Sequence, residues 1–302
     1  MIDGLKTVWG RLGAAACVGL LLAGCGPTPF SAHLGPGAGK GDQINTATLN
    51  TDIDRDIGGL DTCVIMLDTT SGRPIYRYGG AEACMAKLPP CQIFDIPNSL
   101  IGLNQGVITP QTVFKWDGTP QPVSIWQTDA NLPKAFQSQI GWWFQHLAAA
   151  IGPGGYAKAL GDLDYGDRQL AGPATAFWMG PQAGGGLTVT EDQQADFMRR
   201  FYAGDLKIKP DVIKIVQGLT LDETRTDAKG APAVINGHMA SCATTADGSR
   251  TVGWWVGRLK TSQHDLSFSA SIEGGDAPPG LEIERRLKDD FTDAGLLPPG
   301  SN

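Results

Sequence analysis

A serine followed three residues later by a lysine is the pattern that would give this chain an activated nucleophile. On a helix that spacing places the hydroxyl and the amine on one face, where the amine can accept the hydroxyl proton. No serine of the 302 residues has a lysine three positions later. Two threonines do, Thr112 before Lys115 and Thr226 before Lys229, but the first pair runs into an irregular aromatic segment and the second precedes a turn. The sequence therefore offers no hydroxyl–lysine pair on a predicted helix.

Metal, nucleotide and nucleic-acid chemistry are also not indicated. The four histidines lack metal-ligand spacing, and the glycine-rich residues 35–41 do not match the phosphate-loop pattern G-x-x-x-x-G-K-[ST]. The net charge is −7 and the basic residues are scattered, which argues against a nucleic-acid partner. We expect no cofactor and no metal. The histidines are His33, His146, His238 and His264.

The amino terminus predicts export and a lipid anchor. Lys6 and Arg11 precede an apolar run at residues 12–23, which is too short to span a bilayer comfortably. The run ends in Leu22-Ala23-Gly24-Cys25, which resembles the bacterial lipobox, where the cysteine is acylated and becomes the first mature residue. Gly26 after the cysteine favours the outer membrane over the inner one. The alternative is a plain signal peptide with an incidental cysteine.

These features divide the chain into three parts. Residues 1–24 are a predicted lipoprotein signal peptide, and residues 25–50 hold the lipidated cysteine and a Gly/Pro-rich tether. Residues 51–302 form a single predicted domain without internal repeats. We therefore expect a periplasmic protein attached to the membrane through Cys25.

Cysteine usage agrees with an oxidising compartment. Without Cys17 in the signal and Cys25 at the anchor, four cysteines remain, which allow three pairings that sequence alone does not distinguish. Cys84 and Cys91 are near enough to close a short loop, and we expect that pair first. The alternative is four buried free thiols. The pairing of Cys63 and Cys242 stays open.

The predicted elements alternate between strands and helices. Apolar runs and turn signals predict strands at residues 63–68, 75–77, 252–259 and 266–272. Helical periodicity and stop signals predict helices at residues 97–103, 142–151, 191–202 and 282–294, with Gly152-Pro153-Gly154 ending the second.

Six stretches, in order, resemble class D β-lactamases (oxacillinases) and their penicillin-binding transpeptidase relatives. The resemblance covers most of residues 60–297 and implies an α/β (α+β) fold: an antiparallel sheet flanked by helices, plus a helical subdomain. The stretches are residues 90–103, Phe114-Lys115-Trp116-Asp117-Gly118, residues 126–152, Asp164-Tyr165-Gly166-Asp167, Phe177-Trp178 and Trp254-Trp255-Val256-Gly257.

The same resemblance indicates that the family's catalytic residues are absent. Where the family has its nucleophilic serine and its lysine base, this chain has Gln92 and Asp95. At the Ser-x-Val proton-shuttle motif it has Gln139-Ile140-Gly141, with Ser138 one residue out of register, about 100° around a helix.

Two further motifs are altered. Tyr-Gly-Asn becomes Tyr165-Gly166-Asp167, the mildest departure, and the Lys-Thr-Gly strand motif is identified as Ile235-Asn236-Gly237. The resemblance implies that the strand has lost its substrate-binding cation while its glycine still permits close approach of the backbone.

For several other residues the sequence allows either a structural role or a functional one. Trp178 either faces Asp95 or packs in the core as an ordinary aromatic residue. His238 either lines the catalytic cleft that the resemblance implies or has no role there. Trp142 and Trp143 are expected to pack in the core rather than form a ligand platform. A family arginine corresponds to Arg285 or Arg286, and the register does not decide between them.

These substitutions favour a catalytically inactive, lipid-anchored envelope protein that binds a protein or peptidoglycan. The alternative is a residual β-lactamase or transpeptidase-like hydrolase with a rewired site. A third reading is a sensor that binds ligand without being acylated.

Overall fold

The computed structural model describes residues 44–57, 59–226 and 230–300. Its helices are α1 (Thr46–Ile57), α2 (Ala81–Met85), α3 (Asp95–Asn104), α4 (Leu132–Gln137), α5 (Gly141–Leu163), α6 (Glu191–Ala203), α7 (Pro210–Leu219) and α8 (Gly280–Asp293). Its strands are β1 (Asp61–Asp68), β2 (Pro74–Tyr78), β3 (Leu221–Thr226), β4 (Pro232–Ala243), β5 (Thr251–Lys260) and β6 (Asp265–Gly274).

The strands form one antiparallel sheet in the order β2-β1-β6-β5-β4-β3. The predicted strands at 252–259 and 266–272 lie within β5 and β6 and are neighbours, with Gly257 opposite Phe268. The antiparallel sheet with flanking helices confirms the predicted fold class.

Alternation along the central strands sends side chains into two separate cores. On one face α1 and α8 cover the sheet, where Trp255 packs on Phe268 and Phe291 with ring centroids 4.4 and 5.6 Å apart. The adjacent Trp254 points to the other face and joins the core of the helical subdomain with α3 and α5. A run of buried residues on β5 is explained because both sheet faces are covered.

The predicted stop at Gly152-Pro153-Gly154 is wrong. Gly152 adopts φ 70° and ψ 165°, which interrupts α5, but the helix resumes at once and continues to Leu163. Proline is well tolerated at the first position of a helical segment because its missing N–H has no partner there. The three residues therefore form a kink between two helical segments.

The predicted boundary between residues 50 and 51 falls inside α1. This helix begins at Thr46 and buries Leu49 and Ile53 against the α8 side of the sheet. The folded part therefore starts within the segment predicted as tether. The signal peptide, Cys25 and residues 26–43 lie outside the described residues. In the described part of the chain, no helix combines the length and apolarity needed to cross a membrane.

The predicted bridge between Cys84 and Cys91 is also wrong. The disulfides are Cys63–Cys84 and Cys91–Cys242, so these four cysteines are not free thiols. The first ties β1 to α2, and the second ties the turn before α3 to β4. Proximity in sequence misled the prediction because each cysteine bonds to a residue brought close by the sheet.

Candidate active site

The segment that carries Gln92 and Asp95 is held rigidly at the edge of the helical subdomain. Cys91–Phe94 forms a 3₁₀ turn that leads directly into α3, whose first residue is Asp95. The Cys91 N–H donates to the carbonyl of Trp178 at 3.0 Å, and the Trp254 indole N–H donates to the carbonyl of Pro89 at 3.0 Å. Together with the Cys91–Cys242 disulfide, these bonds fix the turn against β4.

Asp95 and His238 form a buried acid–imidazole pair beside this turn. Asp95 is 1% exposed, and its Oδ2 lies 3.7 Å from His238 Nε2. That separation is too long for a good hydrogen bond, so the contact is mainly electrostatic. His238 Nε2 also lies 3.1 Å from the carbonyl oxygen of Gln92. Because a carbonyl only accepts hydrogen bonds, this nitrogen carries the proton.

Burial controls the protonation of Asp95. Loss of hydration raises the pKa of this carboxyl to about 6, and His238 opposes that rise. Within the described residues, neither Asp95 Oδ2 nor Gln92 Oε1 has a hydrogen-bond partner. The site thus holds two acceptors and an imidazole where a serine hydrolase holds a hydroxyl and an amine.

A serine does lie one turn along α3, but its hydroxyl is already engaged. Ser99 is fully buried, and its Oγ donates to the carbonyl of Asp95 at 2.7 Å. Thr112 and Lys115 lie outside any helix, and Thr112 Oγ1 accepts from the N–H of Thr109 at 2.9 Å. Thr226 ends β3, and Lys229 lies outside the described residues.

Ile235, which the sequence predicts in the cation position, does not face Gln92 and Asp95. Side chains alternate between the two faces of a strand, so residues 235 and 238 point in opposite directions. Ile235 is buried with Trp255 and Leu259 on the α8 side, whereas His238 faces Gln92 and Asp95. His238 therefore stands at the position from which β4 addresses the cleft.

Asn236 and Gly237 have structural partners. Asn236 Nδ2 donates to the carbonyl of Gln217 and to Thr220 Oγ1, both at 3.3 Å, which ties β4 to the end of α7. A Cβ at Gly237 would lie 2.8 Å from Trp255 Nε1, so this glycine permits close approach of an indole.

Gln139 bridges the cleft. It adopts φ 49°, which is uncommon for a residue other than glycine, and its Nε2 donates to the Met239 carbonyl at 2.5 Å. Ser138 does not reach β4 in this way; its carbonyl accepts from the Trp126 indole N–H at 2.9 Å. Phe136, on the same segment, stacks on His238 with ring centroids 4.3 Å apart.

Tyr165 and Asp167 hold the subdomain together. The Tyr165 hydroxyl donates to Gln194 Oε1 at 2.9 Å, and burial raises its pKa. Asp167 accepts from the N–H and the hydroxyl of Thr188 at 3.2 and 2.8 Å. Tyr165 therefore ties its segment to α6, and Asp167 fastens the loop that precedes α6.

The tryptophans occupy core positions. Trp178 stacks on Phe94 with centroids 5.5 Å apart, and no hydrogen bond joins it to Asp95 among the described residues. The Trp142 and Trp143 indoles donate to the carbonyls of Trp126 and Ala130 at 2.7 and 2.8 Å. These contacts match the packing roles expected for the Trp142–Trp143 pair.

Neither candidate arginine of α8 points into the cleft. Arg285 pairs with Glu282 and Asp289, and Arg286 pairs with Glu282 and bonds the carbonyl of Asp56.

A cavity of about 180 Å³ remains beside His238, with two carboxylates, Asp222 and Glu284, in its lining. Lys288 pairs with both carboxylates. In the described residues, no cluster of three or more acidic, cysteine or histidine side chains is arranged to hold a metal.

The sequence-based prediction did not include Phe136 and Met239. It also chose Ile235 rather than His238 as the β4 residue beside Gln92 and Asp95. The face of each β4 residue follows once its pairing with β5 is known. In an antiparallel hairpin, Trp254 pairs with Ala240 and Val256 with His238, so counting back from the tryptophan pair identifies the residues that share one face.

Comparison with known proteins places this architecture in a family. The family described as "Penicillin binding protein transpeptidase domain" matches residues 67–286. The chain is 30% identical to beta-lactamase OXA-48 of Klebsiella pneumoniae over 188 residues, which cover 61% of this chain and 65% of that protein. It is 25% identical to the regulatory protein BlaR1 of Bacillus licheniformis over 209 residues, which cover 68% of this chain and 32% of that protein. The chain thus spans just under two thirds of OXA-48 and about a third of BlaR1.

Solved structures agree on the fold. FUS-1 (OXA-85), a class D beta-lactamase from Fusobacterium nucleatum subsp. polymorphum, superposes with a TM-score of 0.73 at 20% identity, covering 83% of this chain and 98% of that one. BPu1 beta-lactamase gives a TM-score of 0.71 at 19% identity, covering 82% and 98%. The chain belongs to the penicillin-binding protein transpeptidase-domain family, among its class D β-lactamase-like members.

Proposed function

We propose that this protein is a non-catalytic, lipid-anchored envelope protein that uses a penicillin-recognising fold to bind a protein or a cell-wall polymer. The observation that carries the proposal is the pair Gln92 and Asp95 at the start of α3, where class D relatives carry nucleophile and base. The lipid anchor rests on the Leu22-Ala23-Gly24-Cys25 pattern.

The chemistry of the pair supports inactivity. A carboxamide is not a nucleophile, and the adjacent Asp95 is a buried acid whose charged form is disfavoured. The nearby hydroxyl of Ser99 is committed to the backbone. Loss of the nucleophile alone lowers turnover in a serine hydrolase by roughly a millionfold.

The shape of the cleft supports a role other than binding a drug-sized substrate. Gln139 spans it to reach β4, and Phe136 covers His238. The cavity of about 180 Å³ beside His238, whose lining includes neither Gln92 nor Asp95, is smaller than the roughly 300–1,000 Å³ of usual small-molecule sites. We therefore assign binding to the outer surface of the domain.

A penicillin-labelling experiment tests the proposal. Purified protein is incubated with a labelled penicillin, its intact mass is measured, and OXA-48 serves as the acylated control. We expect no mass increment and no hydrolysis of a chromogenic cephalosporin. A covalent adduct on the wild-type chain would overturn the proposal, and mapping the adduct would reveal a relocated nucleophile.

Variants that restore the family's catalytic residues test whether the rest of the scaffold is still able to support acylation. Gln92→Ser alone should not be acylated because Asp95 and His238 supply neither the lysine base nor the strand cation. The triple change Gln92→Ser, Asp95→Lys and His238→Lys should allow slow acylation if the scaffold has kept its shape. Acylation of Gln92→Ser alone would contradict this account.

The alternative is a residual hydrolase that acts without an acyl-enzyme. The Asp95–His238 pair favours it, since a carboxylate–imidazole pair can act as general base toward water. Cephalosporin hydrolysis without a mass adduct, abolished by His238→Gln, would support this alternative.

A further inference from the structure

A second cavity lies at the opposite end of α3 from the candidate site around Gln92 and Asp95. Its volume is about 300 Å³, larger than that of the cavity beside His238. Helix α3 begins at Asp95, in the candidate site, and ends at Asn104, which lines the cavity. At 1.5 Å per helical residue these positions are about 14 Å apart along the axis. The cavity is therefore separate from the cleft discussed above.

The interior of this cavity is mainly apolar. Ile101 of α3, Ala159 of α5 and Ile208 of the α6–α7 connection contribute hydrocarbon from three different elements. Gly154 and Gly155 open it at the start of the second segment of α5. A Cβ added at Gly154 would meet no atom within 4 Å, so the absence of a side chain leaves usable space there.

The polar part of the lining comprises the amide residues Asn104 and Gln105, one ion pair and one additional cation. Lys158 pairs with Asp162, which satisfies the one carboxylate in the lining. Lys207 also lines the cavity and forms no hydrogen bond or salt bridge within the described ranges, but its charge acts on Asp162: the hydrogen bond from Lys158 lowers the pKa of that carboxyl, and Lys207 contributes to the lowering. The lining therefore carries a net positive charge, in a chain whose overall charge is −7.

We propose that this cavity binds a small amphiphile with an acidic head group, such as a medium-chain carboxylic acid. The alkyl chain would lie against Ile101, Ala159 and Ile208, and the carboxylate would pair with Lys207. Mostly apolar walls with a few convergent polar groups are typical of ligand sites between helices. The charge of Lys207 selects an anion over an amine of the same length.

Octanoate is a suitable probe, with octanol and octylamine as comparators. Binding to the folded protein is followed by amide chemical shifts of Gly154 and Gly155 and by titration calorimetry. We expect saturable octanoate binding, weaker octanol binding and no detectable octylamine binding. Absence of saturable shifts with millimolar octanoate would overturn the proposal, and octylamine binding as tight as octanoate would overturn the assigned head group.

Two glycines of α5 provide a matched pair of variants. Gly154 lines the cavity and Gly161 does not, yet a Cβ at either position meets no atom within 4 Å. Gly154→Leu should abolish binding of octanoate and octanol by filling the cavity, whereas Gly161→Leu should leave both unchanged. Equal octanoate affinity in the two variants would place the ligand elsewhere.

Lys207→Ala tests the charge without touching the core. It should weaken octanoate binding roughly three- to tenfold and leave octanol binding unchanged. Because Lys207 is exposed, this variant should fold even if Gly154→Leu does not. Unchanged octanoate affinity in Lys207→Ala would contradict recognition of the carboxylate by this lysine.

Discussion

At the scale of single residues, Asp95 illustrates how burial changes the chemistry of a carboxyl group. The carboxyl is 1% exposed and sits beside His238, which is itself 7% exposed. Burial raises its pKa from an ordinary 3.8 to about 6. The folded protein thus keeps a proton that the unfolded chain releases between about pH 4 and pH 6, so stability falls as pH rises through that window.

Asp95→Asn should remove this pH dependence. We expect the free energy of unfolding to change less between pH 4 and pH 7 in the variant than in the wild type, by on the order of 2–3 kcal/mol. Urea titrations at both pH values measure it. The exposed Asp289→Asn is the control for loss of one carboxylate, and an equal response in both variants would refute the role of burial.

At the scale of secondary structure, two disulfides tie elements together, and one of them fixes the turn before α3 to β4. Cys91–Cys242 joins residues 151 apart in sequence, and Cys63–Cys84 joins residues 21 apart. In the chain-entropy picture these loops correspond to about 5 and about 3 kcal/mol. The longer bridge also fixes the turn carrying Gln92 to β4.

The double change Cys91→Ala and Cys242→Ala should therefore destabilise the protein more than Cys63→Ala with Cys84→Ala. We expect a loss of about 2–5 kcal/mol in urea unfolding for the first pair. Peptide mapping without reduction should recover the Cys91–Cys242 and Cys63–Cys84 cross-links. Recovery of a cross-link between Cys84 and Cys91 would contradict the structure.

At the scale of the whole molecule, buried acids should shift maximum stability to mildly acidic pH. Burial raises the pKa of Glu191 to about 8 and that of Asp290 to about 7, in addition to Asp95. Each contributes less stability as pH rises from about 4 to its folded pKa. Hydrogen bonding lowers the pKa values of Asp247 and Glu282 to about 2, and their contribution is lost as pH falls below about 4.

The pH profile of unfolding measures this balance. We expect the urea midpoint to be highest near pH 4–5 and to decline toward pH 8. Glu191→Gln, a nearly isosteric change in a buried side chain, should reduce the decline between pH 5 and pH 8. A midpoint that rises steadily to pH 8 would contradict the assignment.

Membrane attachment is a prediction about the whole molecule, and it rests on the sequence alone. The Leu22-Ala23-Gly24-Cys25 pattern predicts acylation at Cys25, so Cys25→Ser should yield a soluble or unprocessed protein in place of one in the membrane fraction. Cell fractionation and mass analysis of the amino terminus measure this. A cleaved Cys25→Ser variant that still sediments with membranes would exclude a lipoprotein.

The sequence alone determined the fold class, and it predicts Gln92 and Asp95 at the positions where the resemblance to class D β-lactamases implies a catalytic pair. The fold class followed from six ordered stretches that resemble class D β-lactamases, and the same resemblance identified the residue types at positions 92 and 95. Such patterns lie within short stretches of the sequence, so they can be recognised without knowing which distant residues are in contact.

Only the tertiary structure decided the disulfide pairing and the residue that β4 presents to the cleft. Cys91 meets Cys242 across the interface between turn and sheet, and His238 rather than Ile235 faces Asp95 because strand pairing sets which face each residue occupies. A shift of three residues along a strand reverses the face, and no local pattern in β4 marks the correct register. Contacts between residues far apart in sequence are settled by packing, which is where the sequence-based prediction failed.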